Sequence, residues 1–249
     1  MEEILIIAII IVGALIALVT LVSSIVSFVL FFKYIKYNRT PNYAGLTGND
    51  IARDLLDKNE LEGIKVSKTG SLLFGNSYSH YFKKIRLRRG IYKKSSITSM
   101  AMASEKVALA VMDKEGDKDM RDRVKLVPLM TFGPLAFIPI ILIGVLLDYV
   151  VLHTKGIVTF VFLILGLAFY VYSIVLSVKT LKTEKKAQVR AVELLKNNNL
   201  AEEDEINMIN DLYNLYNIEY VNDIILSSLE LLYRVLQLAL KIVQNSKKK

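Results

Sequence analysis

Three long apolar stretches dominate the pattern of hydrophobic and polar positions along the chain. Residues 4–32 and 157–178 contain no charged side chain, and residues 126–152 contain only Asp148. Each stretch exceeds the roughly 20 residues that a helix needs to cross a bilayer. We therefore predict three transmembrane helices. The last two should form a tight antiparallel hairpin, because the turn between them is only a few residues long.

A fourth apolar stretch, residues 224–243, differs because it carries Glu230, Arg234 and Lys241. Glu230 and Arg234 are four positions apart, so they lie on one face of a helix and can form an ion pair there. Such a pair is compatible with a fourth span packed inside a helical bundle. It is also compatible with a helix at the membrane surface whose charges stay in water. The sequence leaves both alternatives open.

The segments between and after these stretches, residues 33–125 and 179–218, have the mixed pattern of water-soluble structure. The predicted elements in chain order are a helix over 47–61, strands over 63–66, 72–74 and 84–87, and helices over 96–112, 184–197 and 202–216. Runs that contain glycine separate the strands and predict turns. The pattern therefore predicts an α+β domain on a mostly α-helical transmembrane base of three or four spans.

The composition agrees with a chain that spends much of its length in lipid. The mean hydropathy is +0.40, and 53% of the 249 residues are hydrophobic, values that fit a membrane protein. The chain has no cysteine, which excludes disulfides, thiolate metal ligands and a cysteine nucleophile. Its two histidines, His80 and His153, are the whole supply of imidazole for metal or acid–base chemistry.

The distribution of basic residues predicts the orientation in the membrane. Residues 33–126 carry 20 basic and 11 acidic side chains, and five more basic residues follow the third apolar stretch. The N-terminus is acidic and runs straight into the first apolar stretch, which is typical of an anchor rather than a cleaved signal peptide. The positive-inside rule then predicts a multi-pass protein of the cell membrane, with its N-terminus outside and the main soluble domain in the cytoplasm. The net charge of +8 suits the inner leaflet, and nucleic acid is not the expected partner.

Several short runs are distinctive in their order along the chain. They are Gly45-Leu46-Thr47-Gly48, His80-Tyr81, Ile85-Arg86-Leu87, the helix over 101–116, Leu126-Val127-Pro128 and Arg190-Ala191-Val192-Glu193-Leu194-Leu195. In order and spacing they resemble the bacterial membrane-anchored neutral zinc metallopeptidases. The resemblance covers most of the chain. It implies a zincin-like cytosolic domain whose zinc ion lies against one long helix.

The decisive motif of that family departs from its pattern in this chain. There, H-E-x-x-H places two zinc-binding imidazoles one helical turn apart, with the glutamate between them as the general base. The matching positions here read Glu105-Lys106-Val107-Ala108-Leu109. Leucine has no lone pair for a metal, and a protonated lysine cannot take a proton from water. The catalytic positions are therefore degenerate at Glu105, Lys106 and Leu109.

In this chain Glu184 resembles the third zinc ligand of the family, a glutamate that follows the hairpin. Lys186, however, stands where the family has a supporting aspartate. Carboxylates of that kind orient the ligands of a metal. The departures occur together, so we expect no zinc and no other cofactor. An alternative is a rebuilt zinc site that uses His80, Glu105 and Glu184.

These observations predict an integral membrane protein that is a catalytically inactive pseudopeptidase and acts by protein binding or scaffolding. Its expected partners are the lipid bilayer and either an active member of the family or a membrane-protein client. One alternative is an active membrane-bound zinc metallopeptidase with the rewired metal site. A second is a lipid-binding module at the membrane surface, built on the basic run Lys83-Lys84-Ile85-Arg86-Leu87-Arg88-Arg89, which alternates like a half-buried strand.

Overall fold

The computed structural model of the chain describes residues 2–70, 75–154 and 156–246. The predicted strand over 72–74, Lys155 of the hairpin turn and the last three lysines lie outside these ranges, as do the side chains of residues 126–138. By its internal contacts the chain divides into two compact units. The sheet unit comprises Val26–Val124 and Thr180–Glu219; the apolar unit comprises Met1–Ile25, Lys125–Lys179 and Tyr220–Lys249.

The described residues are mostly helical, with one small sheet. The helices are α1 (Glu2–Arg39), α2 (Gly48–Lys58), α3 (Arg89–Lys93), α4 (Ile97–Lys114), α5 (Lys118–Leu146) with a π-helical extension (Leu147–Leu152), α6 (Ile157–Asn197) and α7 (Glu203–Ser246). The strands are β1 (Lys65–Thr69), β2 (Ser77–Ser79) and β3 (Lys84–Arg88). The mixed character of the soluble region is thus confirmed, while the zincin-like arrangement and the number of spans, three or four, stay predictions.

Two of the helices that the sequence predicts in the sheet unit, α2 and α4, begin at capping residues. Thr47 and Asp50 form a capping box at the start of α2, each side chain accepting a hydrogen bond from the other's backbone N–H. The Ser96 hydroxyl accepts a hydrogen bond from the Ser99 N–H at the start of α4. Because the first N–H groups of a helix have no partner inside it, such caps fix where a helix begins.

The sheet has the strand order β1-β3-β2, with β1 parallel and β2 antiparallel to β3. Ile85 and Leu87 of β3 are fully buried, whereas Lys84, Arg86 and Arg88, which alternate with them, are not. This confirms the alternation predicted for the basic run. The first strand lies about two residues later than the predicted 63–66. The strand β2 was not predicted; it begins at Ser77, the last residue of a run that the sequence indicated as a turn.

Helix α4 is the centre of the sheet unit. Every residue from Ile97 to Met112 is buried. Its neighbours include α2, α3 and two strands, and its cluster of buried apolar residues continues through Leu195, Ile206 and Leu212 of the later helices. A helix that is enclosed on all sides must pair any charge it carries, because an unpaired buried charge is very costly.

Helices α6 and α7 are longer than the sequence predicted. The expected third span 157–178 and the expected helix 184–197 form one continuous helix. The expected helix 202–216 and the apolar stretch 224–243 likewise merge into α7, which begins at Glu203. Neither helix contains proline, and Gly166 is the one glycine in the two. Without such residues nothing in the local sequence breaks a helix, even where the composition changes from apolar to charged.

Two helices among the described residues are long and apolar enough to cross a membrane, judged by length and composition. They are α1, with a mean hydropathy of 3.3 over its best 18-residue window, and α6, with 2.4. Only 6% of the α1 window is buried, so this segment does not resemble the core helix of a soluble protein. The described end of the second apolar stretch, Pro139–Leu152, is a shorter apolar helix.

The turn of the hairpin is held by Asp148. Its carboxylate accepts hydrogen bonds from the Thr154 hydroxyl at 2.7 Å, the Gly156 N–H at 3.0 Å and the Thr159 N–H at 2.9 Å. Gly156 precedes the first residue of α6 and has no side chain with which to cap it, so Asp148 serves as the cap from eight residues upstream. The carboxylate is buried in the turn.

Gly144 allows the two helices of the hairpin to approach each other. A Cβ atom at this position would overlap the Cβ atom of Phe162 on α6. Small residues at such crossings are typical of helix pairs in membranes, where close backbone packing replaces the hydrophobic effect. The contact is consistent with the antiparallel pairing that the short turn predicts.

A buried charge cluster on helix α4

Glu105 and Lys106 place two neighbouring charges in the core of the sheet unit. The side chains of Glu105 and Lys106 are 8% and 11% exposed. The Lys106 ammonium lies 2.8 Å from Glu105 Oε2 and 3.4 Å from Glu184 Oε2. The Lys106 amine, predicted from the sequence to occupy the position of the family's general base, therefore contacts both Glu105 and Glu184.

Two further residues complete the cluster around these carboxylates. Arg123 on α5 donates a hydrogen bond from Nη2 to Glu184 Oε1 at 2.6 Å. Gln188 on α6 donates from Nε2 to Glu105 Oε1 at 3.2 Å. The Gln188 amide oxygen in turn accepts a hydrogen bond from Asn217 of α7 at 2.7 Å, which fixes which end of the amide faces the carboxylate.

The helical spacing explains why these side chains meet. Glu184 and Gln188 are four residues apart on α6, so both project from one face of that helix. Each of them contacts one residue of the adjacent pair on α4: Glu184 contacts Lys106, and Gln188 contacts Glu105. The cluster thus joins α4, α5, α6 and α7 within the sheet unit.

The cluster contains two cations and two carboxylates. The pKa values of the two carboxyl groups are shifted in opposite directions. Burial alone would raise the pKa of Glu184, but the Lys106 and Arg123 cations outweigh it, so the pKa lies below the usual range. Burial raises the pKa of Glu105, and the nearby Glu184 carboxylate adds to the rise, which Lys106 only partly offsets. Glu105 is therefore the more readily protonated of the two carboxyls.

Lys106 keeps its proton despite its burial. Desolvation alone would lower the pKa of this amine, but the Glu105 and Glu184 carboxylates outweigh it and hold the pKa above the usual value. An amine that stays protonated at neutral pH donates hydrogen bonds and has no lone pair to offer. It can neither accept a proton from water nor bind a metal ion.

The residues that the sequence predicts at the three ligand positions of the family do not fit a zinc ion. Leu109 is fully buried among apolar side chains and has no donor atom. Glu105 and Glu184 do have donor oxygens, but a cation already lies between them. Among the described ranges, no group of three histidine, aspartate or glutamate side chains could hold a metal ion. Catalytic zinc normally uses three protein ligands.

His80, the third residue of the rebuilt-site alternative, belongs to a different cluster. Its Nδ1 lies 2.6 Å from Oδ2 of Asp113 near the end of α4, and the Tyr78 hydroxyl donates to the same oxygen at 2.6 Å. Burial, followed by this hydrogen bond, raises the pKa of Tyr78. The three side chains line a cavity of about 350 Å³. The structure thus brings Glu105 and Glu184 together at Lys106, whereas His80 contacts Asp113 instead.

Sequence reasoning identified Glu105, Lys106 and Glu184 but missed their partners. Arg123 lies in a run of charged residues before the second apolar stretch, where nothing in the sequence distinguishes it from its neighbours. Gln188 could have been suggested by its spacing of four from Glu184 on a predicted helix. Tyr78 lies in β2, a strand that was not predicted, and its link to Asp113 depends on that strand.

The family described as "Putative neutral zinc metallopeptidase" has a model that matches residues 9–239 of the chain. The match covers nearly the whole sequence, and the chain therefore belongs to that family. No curated protein matches the chain, and no solved structure does.

Proposed function

We propose that this protein is a membrane-integrated pseudopeptidase, in which Lys106 supplies the positive charge that a zinc ion supplies in active relatives. The observation that carries the proposal is the contact of one ammonium with Glu105 at 2.8 Å and Glu184 at 3.4 Å. Together with Arg123, a lysine in this place balances the charge of the two carboxylates. It provides neither a Lewis acid nor a general base for hydrolysis.

The retention of structure around the cluster supports a role in binding rather than catalysis. Helix α4 keeps its N-terminal cap and its complete burial, and the cluster residues are joined by hydrogen bonds to four helices. A protein that keeps such a scaffold without peptidase chemistry can still bind the partners that the scaffold recognises. The expected partner is an active member of the family or a membrane-protein client.

The first experiment measures zinc in the purified, detergent-solubilised protein and in a Glu105→Ala/Glu184→Ala variant. We expect no stoichiometric zinc in either protein, and no peptide hydrolysis that a chelator abolishes. About one zinc per chain in the wild type, lost in the variant, would establish the rewired enzyme instead. A further loss of zinc in His80→Ala would then assign the third ligand.

The membrane topology is part of the proposal and can be tested separately. The apolar stretches and basic segments support an outside N-terminus and a cytoplasmic sheet unit. Because the chain has no cysteine, Glu3→Cys and Glu62→Cys each create a unique label site at an exposed position. An impermeant maleimide applied to intact cells should label the first and not the second. The reverse pattern would invert the topology.

A further inference from the structure

The outward face of the small sheet has an unusual composition. Cross-strand register sets which residues share a face, because residues directly opposite each other point to the same side. The register partners of the three β3 cations, of which Arg88 is exposed and Lys84 and Arg86 are half-buried, lie on the same face as those cations. Together the eight residues are Lys65, Ser67 and Thr69 of β1, Ser77 and Ser79 of β2, and Lys84, Arg86 and Arg88 of β3. All eight are cationic or hydroxyl side chains, and we call this surface the basic sheet face.

In the part of the chain that the structure describes, some cations of the sheet unit are ion-paired, whereas the four cations of the basic sheet face are not. Lys58, Lys114 and Lys196, for example, each lie within 3.0 Å of a carboxylate. Within the described ranges, no carboxylate lies at ion-pair distance from Lys65, Lys84, Arg86 or Arg88. Their positive charge is therefore not neutralised by the protein and is available to an external anion.

An exposed aromatic pair adjoins the basic sheet face. Tyr81 and Phe82, in the turn between β2 and β3, are 70% and 71% exposed. The Arg86 guanidinium lies 5.8 Å from the centre of the Phe82 ring, so the ring and the cations form one continuous surface. Tyrosine is enriched at the level of lipid headgroups, where its ring meets apolar chains and its hydroxyl meets water. The Phe82 ring adds apolar surface beside it.

We propose that the basic sheet face, with Tyr81 and Phe82 beside it, binds the surface of a bilayer that contains anionic phospholipids. Cations and hydroxyls together match headgroup phosphates, which accept hydrogen bonds from both. The charge gives the surface its preference for anionic over zwitterionic lipid, and the rings enter the headgroup layer. This role is independent of whether Lys106 replaces zinc.

The arrangement favours lipid over single-stranded nucleic acid as the occupant. Proteins that bind RNA on a sheet stack its bases on aromatic side chains that project from the strands. None of the eight residues on the basic sheet face is aromatic. The rings lie in the turn at one end of the sheet, where they can enter a flat surface while the cations remain over it.

Tryptophan fluorescence tests this proposal in the full-length protein. The chain contains no tryptophan, so Phe82→Trp introduces a single tryptophan within the predicted contact. The variant is reconstituted in nanodiscs of phosphatidylcholine, with and without phosphatidylglycerol, and brominated acyl chains serve as the quencher. We expect quenching when phosphatidylglycerol is present and clearly less in phosphatidylcholine alone.

A matched pair of charge variants separates the basic sheet face from net charge. In the Phe82→Trp background, Lys84→Gln/Arg86→Gln/Arg88→Gln should abolish the quenching. Lys58→Gln/Lys114→Gln/Lys196→Gln removes the same charge elsewhere and should leave the quenching unchanged. No quenching, equal quenching in both lipids, or equal loss in both triple variants would overturn the proposal. An emission change with single-stranded RNA but not with phosphatidylglycerol would overturn it in favour of nucleic acid.

Discussion

The Lys106 ammonium lies 3.4 Å from the Glu184 carboxylate, although the two residues are 78 positions apart in the sequence. The motif alignment that we propose equates these positions with a general base and a zinc ligand. In the structure they form a direct ion pair in a buried site. The two residues are thus coupled through the side-chain cation itself.

Removal of the Lys106 cation should destabilise the fold strongly. Lys106→Ala leaves Glu105 and Glu184 buried with one cation fewer, and breaking a buried ion pair in this way costs about 3–5 kcal/mol. The matched control is Lys58→Ala, whose exposed ion pair with Asp54 one helical turn away contributes no more than about 0.5 kcal/mol. Thermal unfolding of the detergent-solubilised variants measures the difference. Equal melting temperatures for both variants would show that the cluster does not support the fold.

The two carboxyls of the cluster should respond to pH in opposite ways. The pKa of Glu184 is lowered in the folded protein, so its contribution to stability is present above its unfolded pKa of about 4.3 and disappears as the pH falls through the folded value. The pKa of Glu105 is raised, so its contribution is present at low pH and is lost as the pH rises through its folded value.

Glu184→Gln and Glu105→Gln test these signs as a pair. The gap in unfolding free energy between wild type and Glu184→Gln should be largest at neutral pH and close below about pH 4. The gap between wild type and Glu105→Gln should change in the opposite direction over the same range. Unfolding midpoints measured across acidic pH provide both curves. Parallel curves for the two variants would contradict the assignment.

Restoring the family motif should restore metal binding. The variant Glu105→His/Lys106→Glu/Leu109→His recreates two imidazoles one turn apart, with Glu184 as the third ligand. Elemental analysis should find about one zinc per chain, and addition of Glu184→Ala should lower it. The matched control, Glu105→His/Leu109→His, keeps Lys106 and should bind little zinc because the ammonium repels the ion. Equal zinc in this control would show that Lys106 does not exclude the metal.

The stability of the hairpin turn should depend on Asp148 because this residue caps the start of α6. Asp148→Ala removes the acceptor for the Gly156 and Thr159 N–H groups at the start of α6, and loss of a cap costs about 1 kcal/mol. Asp148→Asn keeps one acceptor oxygen and should cost less. Thermal unfolding of the solubilised variants checks the order. A smaller loss in the alanine variant than in the asparagine variant would argue against capping.

The parts of the fold that the sequence predicts well are those set by local chemistry. Thr47 and Ser96 cap α2 and α4, and each was placed at or beside the start of its helix. The alternation of cations with Ile85 and Leu87 identified β3 and its two faces. Caps and alternation act within a few residues, so a single sequence contains all the information that they need.

The parts that the sequence missed depend on contacts between distant segments. Arg123 pairs with Glu184 from 61 positions away, and His80 pairs with Asp113 from 33. Many other charged residues lie at comparable separations, and only the packing of the helices selects among them. The family resemblance located the degenerate motif, but its electrostatic partners became visible only in three dimensions.

The division of the sheet unit into two chain segments has a consequence for biogenesis. Residues 26–124 leave the ribosome first, and residues 180–219 follow only after the apolar hairpin has been synthesised. Until then Glu105 and Lys106 lack Glu184, Gln188 and the apolar side chains of the last helices. Domains fold as units during synthesis, so this one must wait for its second segment. The sheet unit would then complete its fold only after the hairpin has been synthesised. A nascent chain stalled before Thr180 would expose an incomplete core to chaperones and proteases.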